Sequence, residues 1–215
     1  MTDTVAVLGP GRIGRQIALT FALGGWGVVL VDLKNRSAAD SELVLADARR
    51  EIARDLTNRP VWIRGSGQAL DGFQLTSLHE DYAHWPAMKR AAESAYRAAG
   101  VGPTDVDVAE VHDCFSIAEL IAYEELGFCA KGEAGPFVAA GRSDYGGDVV
   151  VNPRGGLIGC GHPLGATGVA QAAEIWAQLR GDAGARQVPD ATIGLTHNNS
   201  GMGEHIVMIY GTEPT

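Results

Sequence analysis

The chain has no run of apolar residues long enough to cross a membrane, so no spanning helix is expected. Its first residues, MTDTVAVLG, lack the basic start of a secretory leader. Basic runs are missing too, and 17 Lys+Arg against 26 Asp+Glu give a formal net charge of −9. Nucleic acid is therefore not the expected main partner. Cysteine is scarce: Cys114, Cys129 and Cys160 are an odd number with no C-x-x-C pair. That argues against a disulfide frame or a zinc site, so no metal is expected, and it suits a reducing cytoplasm. No internal repeat or low-complexity tract interrupts the chain.

What is present is an ordinary globular composition, 46% hydrophobic and 20% charged, over 215 residues, with a high count of 29 glycines. Tight turns and close backbone approaches should be numerous. TVAVL (4–8) reads as a buried parallel strand, followed at once by GPGRIG and a helix, RIGRQIALTFALGG. VVLVD (28–32) is a second strand, and SAADSELVLADARREIARDL a second helix, so the order is βαβα up to about residue 57. The character then changes. VWIRG reads as a short strand, GSGQALDG as a turn-rich loop, and AMKRAAESAYRAAG as an alanine-rich helix ended by Gly100. VDVAEVHD is a strand running into a polar tip, and FSIAELIAYEELG a helix. Residues 130–168 show little periodicity; a helix over 169–180 and two strands, ATIGLTH and HIVMIY, follow.

Gly9, Gly11 and Gly14 form G-x-G-x-x-G between a strand and a helix, and Asp32 ends the next strand. In a dinucleotide site such glycines permit the tight turn and close approach to the pyrophosphate, and the carboxylate accepts the ribose hydroxyls. VAVLGPGRIGRQIALTFALGGWGVVLVDLK resembles the start of the nucleotide-binding domain of 3-hydroxyacyl-CoA dehydrogenases. That resemblance implies NAD, with Gly9, Gly11, Gly14 and Asp32 as its contacts. It covers only about the first 57 residues, and that family's catalytic His and Glu have no counterpart here. A glycine loop kept without a competent site is the alternative, because a dinucleotide spans two mononucleotide halves.

Three further motifs follow in order. VAEVHDCFS (108–116) places His112, Asp113 and Cys114 at a strand end. VNPRGGLIGCGHPLGATG (151–168) supplies His162 and a glycine-rich approach to a helix, with Gly165 in it. THNNSGMG (196–203) gives His197 and Asn198 between two strands. In this order and spacing they resemble the C-terminal half of a thiolase of the sterol-carrier-protein type, from about residue 58 to the end. The fold this implies is α/β: a mixed sheet with helices, preceded by the short Rossmann-like βαβα segment of residues 1–57.

Thiolases make or break a carbon–carbon bond beside a thioester, so an enolate and a tetrahedral oxyanion must be stabilised, work suited to histidine N–H groups and backbone amides. The resemblance implies that His162 activates the nucleophilic cysteine and helps hold the thioester oxygen. It puts His112 where most thiolases carry an oxyanion-hole Asn, and makes Cys114 the acid/base. Cys114 as a buried core thiol is the alternative; Cys129 and Cys160 read as structural. His197, Asn198 and Gly165 are expected at the substrate, with a turn-stabilising role equally open for His197. Two departures stand out. NPRGG replaces the usual NPSGG, putting the bulky Arg154 at a small position, and the nucleophile belongs to a thiolase half that these residues do not resemble.

The expected activity is thiolase-like acyl transfer on acyl-CoA thioesters, completed by another chain. A retro-aldol lyase subunit acting on a hydroxyacyl-CoA and a catalytically silent binding subunit are the alternatives. The helix over 169–180 is expected to leave Val169, Ala172, Ala173 and Trp176 uncovered, which predicts a homo-oligomer or a complementing subunit.

Overall fold

The computed structural model describes residues 4–6, 27–29, 57–71, 83–200 and 203–214. Two compact units divide the chain, residues 1–60 and residues 61–213. In the first, β1 (Thr4–Ala6) pairs in parallel with β2 (Gly27–Val29), Thr4 lying opposite Gly27. The two helices read from the sequence, and the proposed NAD contacts Gly9, Gly11, Gly14 and Asp32, lie outside the described residues.

The second unit is built on a five-stranded mixed sheet. Its strands are β3 (Trp62–Leu70), β4 (Val108–Glu110), β5 (Val150–Val151), β6 (Ile193–Asn199) and β7 (Glu204–Gly211), in the spatial order β3-β7-β6-β4-β5. β7 runs antiparallel to both β3 and β6, whereas β4 is parallel to β6 and β5. Strand alternation sends Leu195, His197, Val207 and Ile209 into a core under α1 (Pro86–Ala99) and α2 (Ser116–Glu125). Val108 and Tyr210 point the other way, into a smaller core with Ile175 and Leu179 of α5 (Thr167–Leu179). Helices therefore cover both faces, as a mixed α/β unit requires to bury its central strands.

α1 forms as its pattern dictates. Ala87, Met88, Ala91, Ala92, Ala95 and Ala99 make one buried stripe, Pro86 opens it, and Gly100 closes it at φ 66°. The sheet beneath it corrects the sequence reading. GSGQALDG is not a turn-rich loop: the strand that starts at Trp62 continues to Leu70. A Cβ at Gly65 would overlap the Ala95 carbonyl, and one at Gly67 the Ala91 carbonyl. These glycines let an alanine-faced helix press onto the strand, a use of glycine that mimics a turn signal in sequence.

The aperiodic stretch 130–168 holds three short elements, α3 (Ala134–Ala139), β5 and α4 (Gly156–Cys160). None is long enough to show a period. α5 buries a polar face. Gln171 Nε2 donates to the His197 carbonyl at 3.1 Å, and Gln171 Oε1 accepts from Asn198 Nδ2 at 3.0 Å. Gln178 Oε1 accepts from Val188 N at 2.8 Å, and Glu174 holds Arg186 at 2.9 Å. Because these groups are paired, burying them is tolerable. On the opposite side Val169 is 70% exposed, and Trp176 lies under the Arg180 guanidinium at 4.5 Å. No helix among the described residues is long and apolar enough to cross a membrane.

Candidate functional site

The two parallel strands β4 and β5 end side by side, and Asn152 ties their ends together. Its backbone N–H donates to the Ala109 carbonyl at 2.8 Å, its Oδ1 accepts from Val111 N at 2.8 Å, and its Nδ2 reaches Glu119 at 3.2 Å. Asn152 does this at φ 52°, a left-handed conformation that Asn tolerates better than most residues. The chain leaving β4 is thereby fixed before it delivers His112, Asp113 and Cys114.

Asp113 has a structural task that the sequence did not reveal. Buried to 3% exposure, it accepts from Leu157 N at 2.6 Å and Ile158 N at 3.4 Å, capping the first turn of α4 from a distance of 44 residues in sequence. Gly156, at φ 62°, packs so tightly against it that a Cβ would fall on the carboxylate. The GG of NPRGG thus makes room for the D of HDCF. α4 then ends at Gly161 and presents His162.

His162 and His112 meet edge to face, ring centroids 4.9 Å apart at 90°. Thr167 Oγ1 donates to the Pro163 carbonyl at 3.2 Å, so at its 2.7 Å contact with His162 Nδ1 the hydroxyl is the acceptor and the ring the donor. Neutral His162 therefore carries its lone pair on Nε2, the arrangement of a base. Once Nε2 takes a proton it becomes a donor beside any negative oxygen. His112 is 4% exposed, and burial, reinforced by the nearby His162 and opposed by Asp113, pushes its pKa down to about 4. It stays neutral at pH 7, and its Nδ1 finds no hydrogen-bond partner among the described residues. Burial raises the Cys114 thiol, so this sulfur holds its proton rather than serving as a ready thiolate.

His112, Cys114 and His162 line one cleft of about 470 Å³ with Leu164, Asn198, Ser200, Glu204 and Ile206. Two of the expected substrate residues are elsewhere. His197 points to the opposite face of β6 from Asn198, fully buried, with its Nε2 3.1 Å from His205 Nδ1. The period-two alternation of a strand sends neighbours apart, and this separates a pair adjacent in the motif. Gly165 is exposed and not part of the cleft wall. Cys160 Sγ donates to the Arg154 carbonyl at 2.9 Å, and Cys129 packs against the larger core.

The unusual Arg154 has a partner. Glu110, fully buried at the end of β4, lies with Oε2 3.6 Å from Arg154 Nε. Burial lifts the Glu110 pKa to about 7 and the guanidinium opposes the rise. At 3.6 Å the two atoms attract without a hydrogen bond, and neither has a hydrogen-bond partner among the described residues. Glu110 and Thr167 escaped the sequence reading, although the E two residues before HDCF and the T of GATG were in plain view.

Residues 67–212 match the family described as thiolase C-terminal domain-like, and residues 4–67 match the NAD-binding domain of 3-hydroxyacyl-CoA dehydrogenase. The chain is 46% identical over 176 residues to an acetyl-CoA acetyltransferase of Methanothermobacter thermautotrophicus, covering 81% of this chain and 45% of the relative. It is 55% identical over 122 residues to sterol carrier protein 2 of Rattus norvegicus, covering 57% of this chain and 22% of the relative. Among solved structures it is similar to the Ltp2-ChsH2(DUF35) aldolase, with a TM-score of 0.67 and 32% identity over 75% of this chain and 42% of that one. The chain thus spans less than half the length of these relatives.

Proposed function

Because the chain belongs to the thiolase C-terminal domain-like family, we propose that its cleft binds an acyl-CoA thioester and stabilises the enolate formed at the carbon next to the carbonyl. In this reading the thioester oxygen sits between His112 and His162. Neutral His112 donates a hydrogen bond to it. His162 Nε2 acts as the base, and the proton it gains turns the ring into a cation beside the developing oxyanion. Cys114, still a thiol, returns a proton to carbon. The observation that carries this is the perpendicular contact of two imidazoles at 4.9 Å in one cleft. Used with an acyl-accepting cysteine from a complementing chain, the same enolate would serve Claisen-type acyl transfer. Such a complex would act in the cytoplasm and cover the exposed apolar residues Leu164 and Val169. NAD held at Gly9, Gly11, Gly14 and Asp32 belongs to the proposal as well, supported by the match of residues 4–67.

A second use of the enolate, retro-aldol cleavage of a 3-hydroxyacyl-CoA, is favoured by the 32% identity to a structure described as an aldolase. It needs no acyl-enzyme. His162→Ala tests both uses. The loss of one oxyanion donor costs on the order of 10²–10³ in rate. His162→Ala should therefore remove most carbon–carbon bond chemistry on acyl-CoA substrates, measured on a correctly folded variant. Full activity in that variant would refute the assignment.

A further inference from the structure

Among the described residues, Glu204 is the one carboxylate in the cleft wall, sharing it with His112, Cys114 and His162. It opens β7 directly after the THNNSGMG turn, and its register partner on β3 is Leu70. Gln68 Nε2, two residues back along β3, donates to Glu204 Oε1. That bond fixes the carboxyl group and leaves Oε2 free of any hydrogen bond among the described residues. A carboxylate so held has no evident structural purpose. β7 pairs through its backbone along its whole length, and the Gln68 contact is itself exposed to solvent.

Resting on the enolate reading above, we propose that Glu204 is the base for the β-hydroxyl group, which makes 3-hydroxyacyl-CoA thioesters the substrate class and retro-aldol cleavage the reaction. Retro-aldol cleavage needs three groups at three different atoms. A donor must meet the thioester oxygen, an acid must meet the carbon next to it, and a base must meet the oxygen on the following carbon. His112, with His162 beside it, supplies the first, and the protonated Cys114 thiol the second. Claisen-type chemistry has no hydroxyl proton to remove and so gives a carboxylate in this wall no task.

The step balances without an oxidant or a further reactant. Glu204 takes the β-hydroxyl proton while the oxygen lone pair forms the new carbonyl. The bond between the two carbons breaks, and its electron pair moves into the thioester as the enolate, held at oxygen by the His112 N–H. The Cys114 thiol gives its proton to the enolate carbon. A ketone or aldehyde and a shortened acyl-CoA leave, and solvent reprotonates the thiolate as Glu204 releases its proton.

Two rates measured on the full chain test this. One is exchange of the acetyl-CoA methyl hydrogens with deuterium in D₂O, which reads enolate formation alone. The other is cleavage of 3-hydroxy-3-methylbutyryl-CoA to acetone and acetyl-CoA. General-base catalysis contributes on the order of 10²–10⁴ in rate. Glu204→Gln, close in shape and able to keep the Gln68 contact, should lower the ratio of cleavage to exchange by at least about 100-fold. Glu204→Asp should restore part of that ratio. Cleavage that is unchanged in Glu204→Gln, or that falls only in step with exchange, overturns the proposal, as does an unmutated protein that exchanges but does not cleave. An unmutated protein that does not exchange overturns the enolate reading itself.

Discussion

Gly156→Ala places two costs on one spot, and a second substitution separates them. The first cost is backbone strain: a side chain at φ 62° costs about 1–2 kcal/mol. The second is displacement. The new Cβ occupies the position of the Asp113 carboxylate, which must give up the N–H groups of Leu157 and Ile158. A hydrogen bond to a charged group contributes about 1.5–3 kcal/mol, and the 2.6 Å bond to Leu157 dominates the pair. Together Gly156→Ala should destabilise the protein by about 4 kcal/mol. Asp113→Ala alone removes the same two bonds for about 3 kcal/mol. In the double variant the overlap has gone and only the strain and the lost bonds remain, so the total should again be near 4 kcal/mol. The two effects then fall short of additivity by about 3 kcal/mol, far beyond the few tenths seen for independent sites. Urea unfolding of the four proteins, followed by circular dichroism, measures the coupling directly. Effects that add to within about 0.5 kcal/mol would show that Gly156 and Asp113 do not share this contact.

Stability should fall as pH drops below neutral. Burial lowers the pKa values of His112 and His205 to about 4 and drives His197 down as well, whereas an unfolded histidine titrates near 6.5. Between those limits the unfolded chain binds protons that the folded one refuses, so stability is complete above the unfolded pKa and is lost progressively down to about pH 4. Glu110, lifted to about 7, works in the opposite sense over much of this window. The test is therefore the difference between the unmutated protein and His205→Gln, whose urea midpoint should depend less steeply on pH; identical slopes would refute the assignment. For the N-terminal segment, added NAD should slow amide exchange within residues 1–57, and Gly11→Ala should abolish the protection by crowding the pyrophosphate. An unmutated protein that shows no protection would mean that the glycine loop has no dinucleotide role.

The sequence announced its long elements and its motifs because each carries a local signal. α1 shows an alanine stripe with Pro before it and Gly after it, and β6 and β7 show apolar runs around a glycine turn. HDCF and GHPLGATG supplied His112, Cys114 and His162, which the fold does bring to one cleft. What stayed hidden depends on partners distant in the chain. Gly65 and Gly67 look like a turn until α1 is placed over them. Asp113 looks like a motif letter until α4, 44 residues later, is seen to begin on it. His197 and Asn198 look like one pair until the strand sends them to opposite faces. Glu204 carries no motif at all, and only the cleft gives it company.

The spatial order of the sheet also constrains how the chain comes together. β3 is made early, yet its neighbour is β7, so Trp62 waits for Gly211. During synthesis the edge of β3 stays open until about 140 further residues have emerged. α1 can dock on β3 within that interval, since the two are close in sequence and Gly65 and Gly67 already admit it. The backbone edge, however, has no native partner. An open strand edge is a template for pairing with another nascent chain. Closure through contacts this distant in sequence is slow. The cleft forms on the last strand to arrive, because β7 brings Glu204 and Ile206 with it. A ribosome pause upstream of residue 204 would therefore leave a half-built sheet that carries His112 and His162, lacks one wall of their cleft and is prone to aggregate.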